Sequence, residues 1–141
     1  MATTTTTSQV LEFGLGDEQY CVSIDHVTEI VDVGSVTAVP NAPPYVEGVM
    51  DLRGRTTAIV DPKTIFDIEA RVDPKRIVVF DPQVVADGTA AGWLVDEVEQ
   101  VLTVPPENVD APPAGDEGIQ GIVRRDEDFL IWIDPAAVHA P

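Results

Sequence analysis

Two histidines, His26 and His139, and one cysteine, Cys21, are the whole stock of strong metal-ligating and nucleophilic side chains in this chain. A His-x-x-x-His or Cys-x-x-Cys zinc motif needs two such residues close together, so neither can be built. Cys21 has no histidine near it in a nucleophile pattern and cannot close an internal disulfide. It lies in an apolar stretch, where a buried thiol is expected. His26 reads as a helix or surface residue. No Gly-x-Ser-x-Gly elbow and no Gly-x-x-x-x-Gly-Lys phosphate loop occurs. Gly14-Leu15-Gly16 lacks the third glycine of a dinucleotide site and falls at a hairpin. Asp126-Glu127-Asp128 lacks the calcium-loop spacing and reads as a solvated turn. Paired carboxylates could do acid–base work, but acids are so frequent here that no pair is singled out. The residues point to no enzyme, no cofactor and no metal.

Arg53 stands apart. It is one of six arginines in an acidic chain, and the turn Arg53-Gly54-Arg55 should present it to solvent. Two roles stay open: a surface ion-pair partner worth little, or an exposed anchor that grips a partner's carboxylate with its planar fork.

The chain carries 25 acidic and 8 basic residues, a formal net charge of −17. Nucleic-acid binding is excluded, because the Lys/Arg footprint for phosphates is missing. One reading of the charge is a surface matched to a basic partner. The other is a protein of molar salt, where the Debye length is about 3 Å and carboxylates no longer repel each other strongly. The acids are spread along the chain rather than gathered in a tail, which favours the second reading and a haloarchaeal source. Apolar residues make up 44%, enough for a core. The longest aliphatic or aromatic run, Phe129–Ile133, has five residues, far short of the roughly 20 of a membrane span. The threonine tract of residues 1–8 lacks the basic and apolar regions of a secretory signal and is expected to be a disordered tail.

The elements that must position Arg53 are short and alternate with period two. Leu11, Phe13 and Leu15, then Tyr20, Val22 and Ile24, predict a hairpin. Asp25 is a candidate N-cap for a short helix, on which Val27, Ile30 and Val31 share a face. Residues 46–52 and 56–60 pair around Gly54, which supplies the positive φ of a tight turn. Strands follow at 76–80, 91–95, 98–104, 119–123 and 129–133, with a loop over 105–118 and with Trp93 and Trp132 in the core. Many short strands predict small barrels or a sandwich. The chain also resembles itself at offsets of 67, 71 and 73 residues: 10–13 with 77–80, 24–30 with 95–101, and 48–62 with 121–135. That implies two halves of shared fold, about 9–72 and 73–135, within one domain over 9–141.

Several segments resemble the CheW family of chemotaxis coupling proteins. They are Val10-Leu11-Glu12-Phe13-Gly14-Leu15-Gly16-Asp17-Glu18-Gln19-Tyr20, then Val27-x-Glu29-Ile30, then Val39-Pro40-x-x-Pro43, then Gly48-Val49-Met50-Asp51-Leu52-Arg53-Gly54. Val95-Asp96-Glu97-Val98 and Gly121-Ile122-Val123 match in the second half, so the resemblance covers residues 9 to about 135. It implies a mainly β fold of two SH3-like five-stranded barrels with a short helix. It also implies a cytoplasmic scaffold that links chemoreceptor cytoplasmic tips to the regulatory domain of a CheA-type histidine kinase, recruited to membrane arrays without inserting into the membrane. The family's receptor-contacting arginine falls on Arg53, its receptor-facing segment on Val27, Glu29 and Ile30, and Val101 falls at a groove-lining position. Core packing remains an open role for Val27 and Ile30. The chain departs from the family at Asp51, which replaces an asparagine and could orient Arg53 or compete for it. It departs again at Asp61-Pro62-Lys63, in place of Asp-Leu-Arg, and in a final helix cut down to 135–141. Alternatives are a non-chemotactic adaptor, a small-ligand-binding barrel, and a kinase regulatory domain on its own; the start at Met1, with no dimerisation or ATP-binding segment, speaks against the last.

The charge argument predicts that the fold loosens as salt falls below molar levels. Emission from Trp93 and Trp132 should shift to the red on dilution, and a native spectrum in dilute buffer would contradict it.

Overall fold

The computed structural model describes residues 8–70, 72–83, 90–113, 118–126 and 128–138. β1 (Ser8–Leu15) and β2 (Glu18–Ser23) form a hairpin, and one 3₁₀ turn at Ile24–His26 leads into β3 (Val27–Asp32). β4 (Val46–Leu52) and β5 (Arg55–Val60) form a second hairpin, followed by the single-turn helix α1 (Pro62–Ile65). The remaining elements are β6 (Arg76–Phe80), β7 (Ala91–Val95), β8 (Glu97–Val104), β9 (Val109–Asp110), β10 (Ile119–Arg125), β11 (Asp128–Ile133) and α2 (Pro135–Val138). Of the expected tail, Ser8 already belongs to β1, and residues 1–7 lie outside the described residues, as does His139.

The strands form two sheets, ordered β8-β1-β2-β11-β10-β9 and β3-β6-β7-β5-β4. They are the two SH3-like barrels of a mainly β fold. Matching β1 with β6, β2 with β7, β3 with β8, β4 with β10 and β5 with β11 turns one order into the other. The details repeat too. Both sheets contain one parallel pair, β11 on β2 and β5 on β7. Register shifts recur at Val46/Gly48 and at Ile119/Gly121. Each sheet takes its central hairpin from the other side of residue 72: β1–β2 sits among the later strands, and β6–β7 among the earlier ones.

This exchange explains the burial. β7 is buried along its whole length, and β1, β2 and β6 are exposed only at their ends. They are apolar on both faces because both faces are covered. One face of β1–β2 (Val10 and Cys21) points into its own barrel, with Val104, Val123, Leu130 and Trp132. One face of β6–β7 (Ile77, Val79, Leu94) points into the other, with Met50 and Ile59. The opposite faces meet across the seam between the barrels, where Leu11, Phe13, Leu15 and Val22 pack on Val78, Phe80, Trp93 and Val95. Trp93 is fully buried and takes edge-on contacts from Phe13, Phe80 and Phe66, with centroids 6.5, 5.0 and 6.2 Å away. Each such contact adds about 0.5–1.5 kcal/mol beyond area burial.

One expectation fails. Val27, Glu29 and Ile30 lie on β3, an edge strand paired with β6, and not on a helix. The helical share of that stretch is the 3₁₀ turn before it, and Ser23, not Asp25, precedes that turn. β-Branched Val27, Thr28, Ile30 and Val31 favour a strand. The register shift between Val27 and Glu29 breaks their alternation, so the apolar residues fall three and four apart, as they would on a helix. A one-turn helix that periodicity did not predict, α1, has its own local cause: Asp61 accepts from the Lys63 N–H at 3.0 Å, with Pro62 at the first position. Gly48 has φ +152°, and a Cβ there would lie 2.1 Å from the Thr37 carbonyl oxygen. Its absence lets Thr37 and Val49 exchange two hydrogen bonds of 2.8 Å that help close the first barrel.

Trp93→Ala should therefore cost about 3–5 kcal/mol, read from chemical denaturation in molar salt. A loss below about 1 kcal/mol would mean that the seam is not the principal core.

Candidate partner-binding site

The β4–β5 hairpin has a two-residue turn in which Arg53 and Gly54 both take positive φ, +54° and +79°. That geometry matches the right-handed twist of the strands. It holds the Arg53 side chain 81% exposed, with Nη2 3.1 Å from Glu29 Oε1 of β3. Exposed pairs of this kind contribute about 0–1 kcal/mol, so an incoming carboxylate can replace Glu29 at little cost. The carboxylate that meets Arg53 is Glu29; among the described residues no ion pair joins Arg53 to Asp51.

The structure separates the other candidates. Glu29 opposes Val79, on the barrel-interior face, and lines a cavity of about 150 Å³ with Leu52, Arg55 and Thr57. Ile30 opposes Val78, and Val101 of β8 opposes Leu11. Residues opposite each other share a sheet face, so both stand beside the seam core, one from each barrel. They are 40% and 49% exposed. Ile24, Ile65, Phe66, Ile68 and Val138 cover other parts of the seam. Val27 is half-buried against the seam core and does a packing job. Arg53 and Glu29 thus form one contact point, while Ile30 and Val101 are exposed apolar residues on the seam faces of the two edge strands.

The second barrel differs at the equivalent place. Glu12, 3% exposed, accepts from Arg125 Nη1 at 2.8 Å and from Gln100 Nε2 at 3.1 Å. Arg125 also donates to Asp128, which holds the Asp128 carboxyl below its usual range and pushes the guanidinium higher. By the internal repeat, Arg125, Glu12 and Gln100 stand where the first barrel has Leu52, Val79 and Glu29. A cavity of about 550 Å³ in this barrel is lined by Leu102, Val104, Val123 and Leu130. Of the charged groups around it, Arg124 pairs with Asp110, and Arg125 pairs with Glu12 and Asp128.

Sequence reasoning missed one feature. Lys63 Nζ, on α1, is ion-paired with Asp96 Oδ1, at the corner between β7 and β8, and both are almost fully buried. The Asp61-Pro62 pair, an N-cap followed by a first-turn proline, was the signal for the helix that carries Lys63. Among the described residues no group of three or more His, Cys, Asp or Glu side chains could hold a metal ion. No helix among them is long and apolar enough to cross a membrane.

The comparisons agree with this fold. Residues 9–140 match the CheW-like domain family. A chemotaxis protein CheW of Treponema pallidum is 32% identical over 137 residues, covering 89% of this chain and 78% of that one. One of Bacillus subtilis is 29% identical over 140 residues, covering 94% and 87%. The crystal structure of the scaffolding protein TtCheW from Thermoanaerobacter tengcongensis superposes with a TM-score of 0.82 at 29% identity, covering 91% of this chain and 84% of that one.

Cys21 is fully buried, and burial first, then the nearby Glu12 carboxylate, pushes its thiol up to about 12. The thiolate is the reactive form, and at pH 8 a shift of this size leaves about one part in 10⁴. A disulfide reagent at pH 8 should leave native Cys21 untouched and titrate one thiol only in denaturant. Rapid reaction of the native protein would contradict the buried placement.

Proposed function

The chain belongs to the CheW family, and we propose that it is a non-catalytic chemotaxis scaffold that couples chemoreceptor cytoplasmic tips to a CheA-type histidine kinase. The observation that carries the reading is the match over residues 9–140 together with the two-barrel architecture. The geometry around the seam supports a location for the receptor contact. A receptor tip is a helical hairpin, and helix-in-groove recognition takes affinity from apolar contacts and register from a few charges. Ile30 and Val101 supply the apolar contacts from the two barrels, and Arg53 supplies the charge, exchanging Glu29 for a receptor carboxylate. Glu29 keeps the guanidinium in place when no receptor is bound. Val27 acts indirectly, by holding β3 on the seam core. The protein works in the cytoplasm and reaches membrane arrays through its receptors; no step requires a cofactor or metal.

The expected outcome in molar salt is that Arg53→Glu weakens receptor-fragment binding at least tenfold, since it leaves two carboxylates facing each other, while kinase binding is retained. Calorimetric titration of each partner separately reads both. Unchanged receptor affinity would remove Arg53 from the contact, and loss of both partners would point to a folding defect instead.

A further inference from the structure

The buried pair of Lys63 and Asp96 joins elements of both barrels. Lys63 belongs to α1, which follows β5 of the first sheet. Asp96 sits where the chain leaves β7 of that sheet and enters β8 of the other. Its second carboxylate oxygen accepts from the Gly16 N–H at 2.8 Å, in the β1–β2 turn, and its own N–H donates to the Gly14 carbonyl at 3.0 Å. One carboxylate therefore ties α1, the β1–β2 turn and the root of β8 together. Among the described residues the opposite crossing, from β2 to β3, has no buried ion pair of this kind. There the residues matching Asp96 and Lys63 by the internal repeat are Asp25, which is exposed, and Ala136, which carries no charge.

The cost of this arrangement makes it informative. Withdrawing two charges from water is expensive, and well-packed apolar residues are often as stable or more so. A buried pair is thus weak evidence for stability, and specificity is the use left to test. Val101 lies on β8, five residues beyond Asp96. Ile30 lies on β3, in the other sheet.

We propose that Lys63 and Asp96 are positioning residues that fix β8, and with it the spacing between Val101 and Ile30. Through that spacing they set the fit of the receptor helix. The last step rests on the receptor reading above; the spacing itself does not.

The test is a distance measurement between nitroxide labels on Ile30→Cys and Val101→Cys, with Cys21 left in place because its buried thiol escapes labelling. Lys63→Met with Asp96→Asn removes the charge pair while leaving an acceptor for the Gly16 N–H. Lys63→Leu with Asp96→Asn serves if the first pair does not fold. The wild-type background and Lys63→Arg, which keeps the ion pair, should give one narrow distance. The uncharged double variant should give a broadened or displaced one, and the same double variant with Ile30 and Val101 intact should lose between about two- and thirty-fold in receptor-fragment affinity. A distance distribution identical to wild type in the folded double variant would overturn the proposal. The distances are read without a receptor, so a failure of the receptor reading leaves this outcome decisive.

Discussion

The structure depends on the packing of the β1–β2 hairpin against the β6–β7 hairpin around Trp93. Each hairpin is the centre of a sheet whose other strands come from the far side of residue 72. Neither barrel can therefore complete its sheet without chain from the other half. The hairpins must be apolar on both faces, one for the barrel interior and one for the seam. That requirement leaves little surface on them for function, and the exposed Ile30, Val101 and Arg53 lie on the edge strands and turns around them.

The edge strands β3 and β8 are where burial gives out. Their residues facing the seam, Ile30 and Val101, continue the apolar surface of Val78 and Leu11 out to solvent. The near-symmetry of the two barrels makes the differences between them instructive. Where the second barrel joins Glu12, Arg125 and Gln100 in a buried network, the first has a small cavity beside Glu29. Where the first presents Arg53 at its hairpin tip, the second presents an acid, Asp126, also at positive φ. An adaptor must show unlike faces to unlike partners, and a duplicated fold that has diverged at such points does so without a new architecture.

Much of this was legible in the sequence. Period-two alternation located most of the strands, and Gly54 marked the tight turn that exposes Arg53. Cys21, Trp93 and Trp132 are buried as their apolar surroundings implied. The failures have physical causes. β3 was misread because a register shift mimics helical spacing. The exchange of hairpins between sheets leaves no local trace, since a strand buried on both faces looks the same whichever sheet receives it. The ion pair of Lys63 and Asp96 spans 33 residues and joins two unremarkable charges in an acidic chain. Only the three-dimensional placement shows that these two are buried. The separation of Glu29 from Ile30 onto opposite faces of β3 likewise follows from strand geometry, in which successive side chains alternate.

The central claim, that this chain bridges two partners, is tested most directly by sedimenting vesicles that carry a chemoreceptor, together with the histidine kinase, in molar salt. With this protein present the kinase should pellet with the vesicles, and without it the kinase should stay in the supernatant. Kinase that pellets equally in both cases, or in neither, would contradict the account.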